Sequence, residues 1–185
     1  SLASEDDVFD AIMRQCGVLR AESIQEAFNL CKFLSTSSMP AGENVVIVTN
    51  GGGIGVLATD ACEKYNVKLY DDNETLRDIF DSVTPDFGST KNPIDLTGGA
   101  TSPDFTGALN AALEHDNIDA VISLYCETAV FDADNLSQMI EETSESYRAA
   151  GKPIIYSVFG GSTAGSMAAP TGPQGVPDRL YFENH

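Results

Sequence analysis

The chain has 185 residues, 28 acidic side chains against 10 basic ones, and a formal net charge of −18. That length suits one ordinary domain with a true core, and a hydrophobic share of 42% suits a folded chain rather than a disordered one. So acidic a surface repels nucleic acid and anionic membrane, no apolar run reaches the ~20 residues of a membrane helix, and Glu5, Asp6, Asp7 and Asp10 stand where a signal peptide would be basic and then apolar. A cytoplasmic protein with neither nucleic acid nor membrane as partner is expected.

Residues 5–16 are predicted helical, with Ser4 as N-cap, acidic residues in the first turn and Val8, Phe9, Ile12 and Met13 on one face. Gly17 ends that helix. Ser23 and Glu26 form a capping-box pattern that opens a second helix over about 23–34, with Ile24, Ala27, Phe28, Cys31 and Leu34 on one face. The polar stretch 35–43 contains Pro40 and Gly42 and reads as a linker. Residues 1–40 are therefore expected to be a helical lead-in and linker, and residues 41–185 the main domain.

Beyond the linker the pattern is strand then helix, repeated. Val45–Val48 is a continuous β-branched run, as in a strand buried on both faces. A helix over 54–65, a strand over Val67–Tyr70 and a short helix over Asn73–Phe80, capped by Asn73, follow. Lys91–Gly99 has strand character with the Pro and Gly of a shaped loop. Then come a helix over Pro103–Glu114, a strand over Ala120–Tyr125, a helix over Asp132–Ala150 ended by Gly151, and a strand over Pro153–Phe159. Leu180–Phe182 is a candidate edge strand. This alternation predicts an α/β fold: a flavodoxin-like, doubly wound parallel sheet of about five strands, preceded by two helices. Ligands of such sheets lie off the carboxyl ends of the strands, here the loops 49–55, 91–99, 126–132 and 159–165.

The acidity itself has two readings: an ordinary acidic protein, or adaptation to a salty cytoplasm, where a Debye length near ~3 Å at 1 M salt screens self-repulsion. Cys16, Cys31, Cys62 and Cys126 match no metal or redox spacing and are expected to be small buried hydrophobes in a reducing compartment. His115 and His185, the two histidines, have no sequence partners that suggest catalysis or a metal site.

The loop 49–55 carries the most chemistry. Gly51, Gly52, Gly53 and Gly55 let a ligand approach the backbone, and the helix that follows offers unpaired N–H groups and the positive end of its dipole. Thr49 and Asn50 add hydrogen-bonding side chains. Three readings compete. Gly53–Ala58 fits G-x-G-x-x-A with Asp71 and Asp72 downstream, a dinucleotide pattern. The whole cluster also suits a phosphoryl or carboxylate group at a helix start. Finally, the glycines could simply permit close packing. A Walker A loop is excluded, because no Gly-Lys-Ser/Thr follows.

The runs "VVIVTNGGGIGVLATDACEKY", "KNPIDLTGGAT", "NIDAVI" and "GKPIIYS" occur in the order and spacing of ADP-forming (NDP-forming) acyl-CoA synthetases, relatives of succinyl-CoA synthetase, which the chain resembles over roughly residues 1–160. The domain resembled is similar to the carboxy-terminal domain of the succinyl-CoA synthetase β-subunit. The resemblance implies an acid–CoA ligase: carboxylic acid, CoA and ATP in exchange for acyl-CoA, ADP and phosphate, through an acyl phosphate and a phosphohistidine. Carried over, Asn50, Gly51, Gly52, Gly53, Ile54 and Gly55 would hold the phosphoryl group, with Asn50 orienting it. Asn92, Asp95, Thr97 and Gly98 would shape the neighbouring loop, Asp95 bonding backbone amides rather than ligand and Pro93 setting the backbone.

Two departures accompany the resemblance. The phosphorylated histidine is expected upstream of residue 1, and neither His115 nor His185 matches it. The tail after Gly161 keeps a Gly-Val-Pro before the candidate edge strand, but its preceding helix lacks apolar periodicity. The resemblance implies partners in a CoA-binding domain, a phosphohistidine domain and an ATP-grasp subunit. It implies CoA, ADP/ATP, phosphate and Mg for the whole enzyme, no cofactor or metal bound by this chain alone, and no ligase activity for it in isolation. The rival of another class is a regulatory or binding module of a protein acetyltransferase, which such domains also resemble.

Overall fold

A computed structural model describes residues 2–130 and 132–160; the candidate strand Leu180–Phe182, His185 and most of the loop 159–165 lie outside the described residues. The chain forms two compact units, Ser1–Thr36 and a second beginning at Ser37.

The first unit holds α1 (Leu2–Gln15) and α2 (Ile24–Thr36). Helix α1 is already formed at Leu2, so Ser4 lies inside it instead of capping it; Leu2 and Ala3 are strong helix formers and extend the first turn. Gly17, in the left-handed region at φ 70°, ends the helix. Arg20 folds back to pair with Asp6 at 2.9 Å and Asp10 at 2.6 Å. Ser23 Oγ accepts from Glu26 N at 3.1 Å. Glu26 reaches back to Glu22 N at 2.7 Å, one residue earlier than an ideal capping box. No residue of α2 is buried. Cys31 and Cys16 are exposed, contrary to expectation, because helical periodicity puts them beside apolar neighbours without supplying a core to bury them.

The second unit runs β1 (Val45–Thr49), α3 (Gly52–Lys64), α4 (Asn73–Phe80), β2 (Ile94–Asp95), α5 (Ser102–Glu114), β3 (Ala120–Cys126), α6 (Ala133–Ala150), β4 (Ile154–Phe159). The strands form a parallel sheet in the order β2-β1-β3-β4. The α/β fold is as expected, with four described strands in the sheet. Strand β1 is apolar from Val45 to Val48 because both its faces are covered. Val46 and Val48 enter a large core with Leu76 and Phe80 of α4, Phe105 and Leu109 of α5 and Tyr147 of α6. Ile47 points the other way, toward Leu124 and, on α3, Cys62, Ile54 and Ala58.

The predicted strand Val67–Tyr70 is reduced to a single bridge between Val45 and Leu69. The reason is a side chain. Val45 exchanges backbone hydrogen bonds with Lys68 and Tyr70. Immediately beyond, Asn92 takes over the edge of β1: its Nδ2 donates to Val45 O at 2.8 Å and Tyr70 O at 3.1 Å, and its Oδ1 accepts from Ile47 N at 3.0 Å. β2 then pairs with Val48 and Thr49. One edge of β1 is thus shared by three segments, none long enough to be a full partner.

The helices are closed by recognisable chemistry. Asp72, not Asn73, caps α4 by accepting from Glu74 N and Thr75 N. Thr101 and Asp104 form a capping box on α5, and Asp132 caps α6. Gly151 at φ 70° ends α6. Lys152 Nζ then donates to Ala112 O, Leu113 O and His115 O at 3.0, 2.8 and 2.9 Å, placing a cation on the carboxyl end of α5. Two buried tyrosines tie α6 inward: Tyr147 Oη donates to Leu109 O at 2.6 Å, and Tyr156 Oη shares a 2.6 Å hydrogen bond with Thr143 Oγ1.

Candidate functional site

Parallel register places Thr49, Asp95, Cys126 and Phe159 at one edge of the sheet. The glycine loop leaves β1 there. Helix α3 begins at Gly52, two residues before the expected start, so Gly52 and Gly53 belong to its first turn. Gly51 is the N-cap and gives no side-chain hydrogen bond, whereas the side chains of Asp72 and Asp132 cap α4 and α6 and α5 carries the Thr101–Asp104 capping box. The first intrahelical bond is Gly55 N to Gly51 O at 3.1 Å. The amides of Gly52, Gly53 and Ile54 therefore precede the helical ladder and face the carboxyl edge of the sheet.

The four glycines are glycines for different reasons. A Cβ on Gly51 would stand 2.7 Å from Cys126 Sγ. One on Gly55 would stand 3.2–3.4 Å from Thr49 and Pro93, so Gly55 sets the close approach of α3 to the sheet. One on Gly52 would come 3.1 Å from Asp95 Oδ2. One on Gly53 would meet nothing within 4 Å, and Gly53 is exposed. No packing requirement explains Gly53, although glycine in a helix costs about 0.5–1 kcal/mol relative to alanine.

Asn50 is 3% exposed and both ends of its amide are engaged. Nδ2 donates to Cys126 O at 2.9 Å and Oδ1 accepts from Cys126 N at 2.7 Å. It is a clamp between the ends of β1 and β3. Thr49 Oγ1 accepts from Gly51 N at 3.0 Å and shapes the turn. Asp95 Oδ1 accepts from Thr97 N at 2.8 Å, as expected of a carboxylate bonding backbone. Thr97 has a left-handed backbone at φ 68°, unusual for a β-branched residue. A Cβ on Gly98 would lie 3.9 Å from Thr128, so the loops after β2 and β3 are neighbours. The structure thus brings Asn50–Gly55, Asp95, Thr97 and Gly98 to one edge. Asn92 is elsewhere, beside Val45 and Ile47 in the first half of β1.

Sequence reasoning missed Cys126, whose sulfur faces Gly51. Its spacing to other cysteines carried no signal, and burial pushes its thiol pKa up. It also missed Thr128, whose Oγ1 is buried without a hydrogen-bond partner. The loops 49–55, 94–100 and 126–130 contain no Lys, Arg or His, but do contain Asp95 and Glu127. An anion at the amino end of α3 would meet amides and the helix dipole, and no cation from these three loops. The dinucleotide reading is weakened by Asp72, which is spent on capping α4; hydrogen bonds from Thr75 and Glu74 lower its pKa. Among the described residues there is no cluster of three or more His, Cys, Asp or Glu side chains that could hold a metal ion. No described helix is long and apolar enough to cross a membrane.

The Ligase-CoA domain model matches residues 45–171, which span the sheet and the glycine loop. The chain belongs to the Ligase-CoA domain family. Among curated relatives, it is 46% identical over 178 residues to the α subunit of an ADP-forming acetate–CoA ligase I from Pyrococcus furiosus, a match that covers 96% of this chain and 38% of that subunit. It is 32% identical to an ADP-forming 4-hydroxybutyrate–CoA ligase from Nitrosopumilus maritimus, covering 86% of this chain and 22% of that protein. Among solved structures, an acetyl-coenzyme A synthetase 1 of Ca. Korarchaeum cryptofilum, in complex with phosphate and ADP, superposes with a TM-score of 0.77 at 33% identity over 86% of this chain and 34% of its own. This Ligase-CoA domain chain therefore spans well under half the length of these relatives.

Proposed function

We propose that the chain works as one domain of an ADP-forming acid–CoA ligase, and that the amino end of α3 stabilises a phosphoryl group, carried by a phosphohistidine or an acyl phosphate, during transfer. The observation that carries this reading is Gly53. It stands in the first turn of a helix without a side-chain cap, exposed, where no neighbour requires glycine. A helix start stripped of side chains lets a phosphoryl group approach the amides of Gly52, Gly53 and Ile54 and the positive end of the dipole. Fixed dipoles aimed at a transferring phosphoryl group are an electrostatic catalyst that needs no reorganisation during reaction.

In this reading Asn50 and Thr49 position the loop, and Asp95 holds the next loop through Thr97 N. None of the loops 49–55, 94–100 and 126–130 supplies a cation, so in this reading the compensating charge comes from elsewhere in the enzyme. Residues 1–40 serve as a helical lead-in and linker. The histidine, the CoA-binding and ATP-grasp modules, CoA, ADP/ATP and Mg belong to the rest of the enzyme. The relatives support this division, being ADP-forming ligases of which the chain spans only a part.

The test is a titration of the ¹⁵N-labelled chain with acetyl phosphate. Saturable shifts are expected at the amides of Gly52, Gly53 and Ile54, several-fold weaker in Gly53→Ala. Shifts confined to other residues, or none, would refute the proposal.

A further inference from the structure

A second concavity lies apart from the glycine loop. The segment 82–87 and the start of α5 enclose a cleft of about 420 Å³, within the range of small-molecule sites. None of residues 49–55 lines it. We propose that this cleft binds a small organic cation carried on an apolar body.

Three observations support the assignment. The walls are largely apolar, formed by Val83, Pro85, Leu96, Ala100 and Pro103, with room for a body of a few carbon atoms. Phe87 lines it while remaining 80% exposed, so an aromatic face is left to solvent at the mouth. Such a face attracts a cation. Asp104 is the one charged residue of the lining, and no Lys, Arg or His is among the lining residues. Asp104 Oδ2 is used in the α5 capping box, and the structure assigns no partner to Oδ1. Asp81 and Asp86 adjoin the lining in sequence and are exposed. An ammonium in the cleft would meet an aromatic ring and the carboxylate of Asp104, with no cation of the lining to repel it. Thr97, also in the wall, holds the left-handed backbone noted above, a conformation found where a ligand clamp is preformed.

This inference does not depend on the phosphoryl reading of α3. Three molecules with the same body and different charge test it: benzylammonium, benzyl alcohol and benzoate. Each is titrated at low salt into the ¹⁵N-labelled 185-residue chain. Benzylammonium should shift the amides of Thr84, Leu96 and Gly107 saturably, benzyl alcohol should bind about fivefold more weakly, and benzoate should not bind. Gly107→Leu fills the cleft from a helical position where a Cβ meets only Val83, at 3.4 Å, and should abolish the shifts. Phe87→Ala removes an exposed ring, leaves the core intact, and should weaken benzylammonium about threefold. Benzoate shifting these amides as strongly as benzylammonium would overturn the proposal. So would benzylammonium shifts located elsewhere, or shifts unchanged in both Gly107→Leu and Phe87→Ala.

Discussion

Asn50 and Cys126, 76 residues apart, are joined by a pair of hydrogen bonds in which one side-chain amide takes both backbone groups of the other residue. This pair continues the β1–β3 ladder past the point where β1 turns away into the glycine loop. Replacing Asn50 by Leu keeps the volume and removes both bonds, taking this partner from the half-buried N–H and C=O of Cys126. A loss of about 2–4 kcal/mol is expected from the cost of two such groups. Urea unfolding of the chain measures it, and a loss near zero would mean that the clamp is incidental.

Gly51 and Gly53, two residues apart, should respond to alanine with opposite signs. At Gly51 the new methyl would run into Cys126 Sγ, and a destabilisation of about 1–3 kcal/mol is expected from overpacking. At Gly53 the methyl enters open space in a helix, and stabilisation of about 0.5–1 kcal/mol is expected. The stabilised Gly53→Ala chain should nevertheless bind acetyl phosphate more weakly. Gain of stability together with undiminished binding would leave Gly53 without a role.

Tyr147 sets an alkaline limit. Burial, with a smaller contribution from Tyr156, pushes its phenol well above the ordinary value of 10.0. The folded chain then holds this proton when the unfolded chain has lost it. The stabilisation is complete below about pH 10 and is lost as pH rises further. Tyr147→Phe should flatten that alkaline decline. At neutral pH it should cost about 1 kcal/mol for the lost hydrogen bond to Leu109 O. Unfolding curves between pH 8 and pH 11, spanning that value, decide it; an unchanged alkaline slope would assign the decline to other groups.

The net charge of −18 predicts salt dependence. The described ion pairs that offset it are Arg20 with Asp6 and Asp10, both exposed. Raising KCl from dilute buffer toward ~1 M shrinks the Debye length to ~3 Å and should raise the melting temperature if the acidity is an adaptation to salt. A maximum in dilute buffer would identify the chain as an ordinary acidic protein.

By itself, the sequence determined the alternation of strands and helices, the ends of α5 and α6, the doubly covered β1 and the glycine loop at a helix start. These are local properties: apolar period, capping residues and glycine act through neighbours a few residues away. It also carried the family resemblance, through Asn50–Gly55 and Lys91–Gly99. Only the tertiary structure decided which side chains the fold consumes. Asn92 had to meet Val45 and Ile47 before it could be seen as the substitute for a strand, and Cys126 had to meet Gly51 before that glycine had a reason. Parallel strands join residues far apart in the chain, and spacing in sequence encodes no such meeting. The same contacts separate Gly51 and Gly55, demanded by packing, from Gly53, which packing leaves free for a ligand.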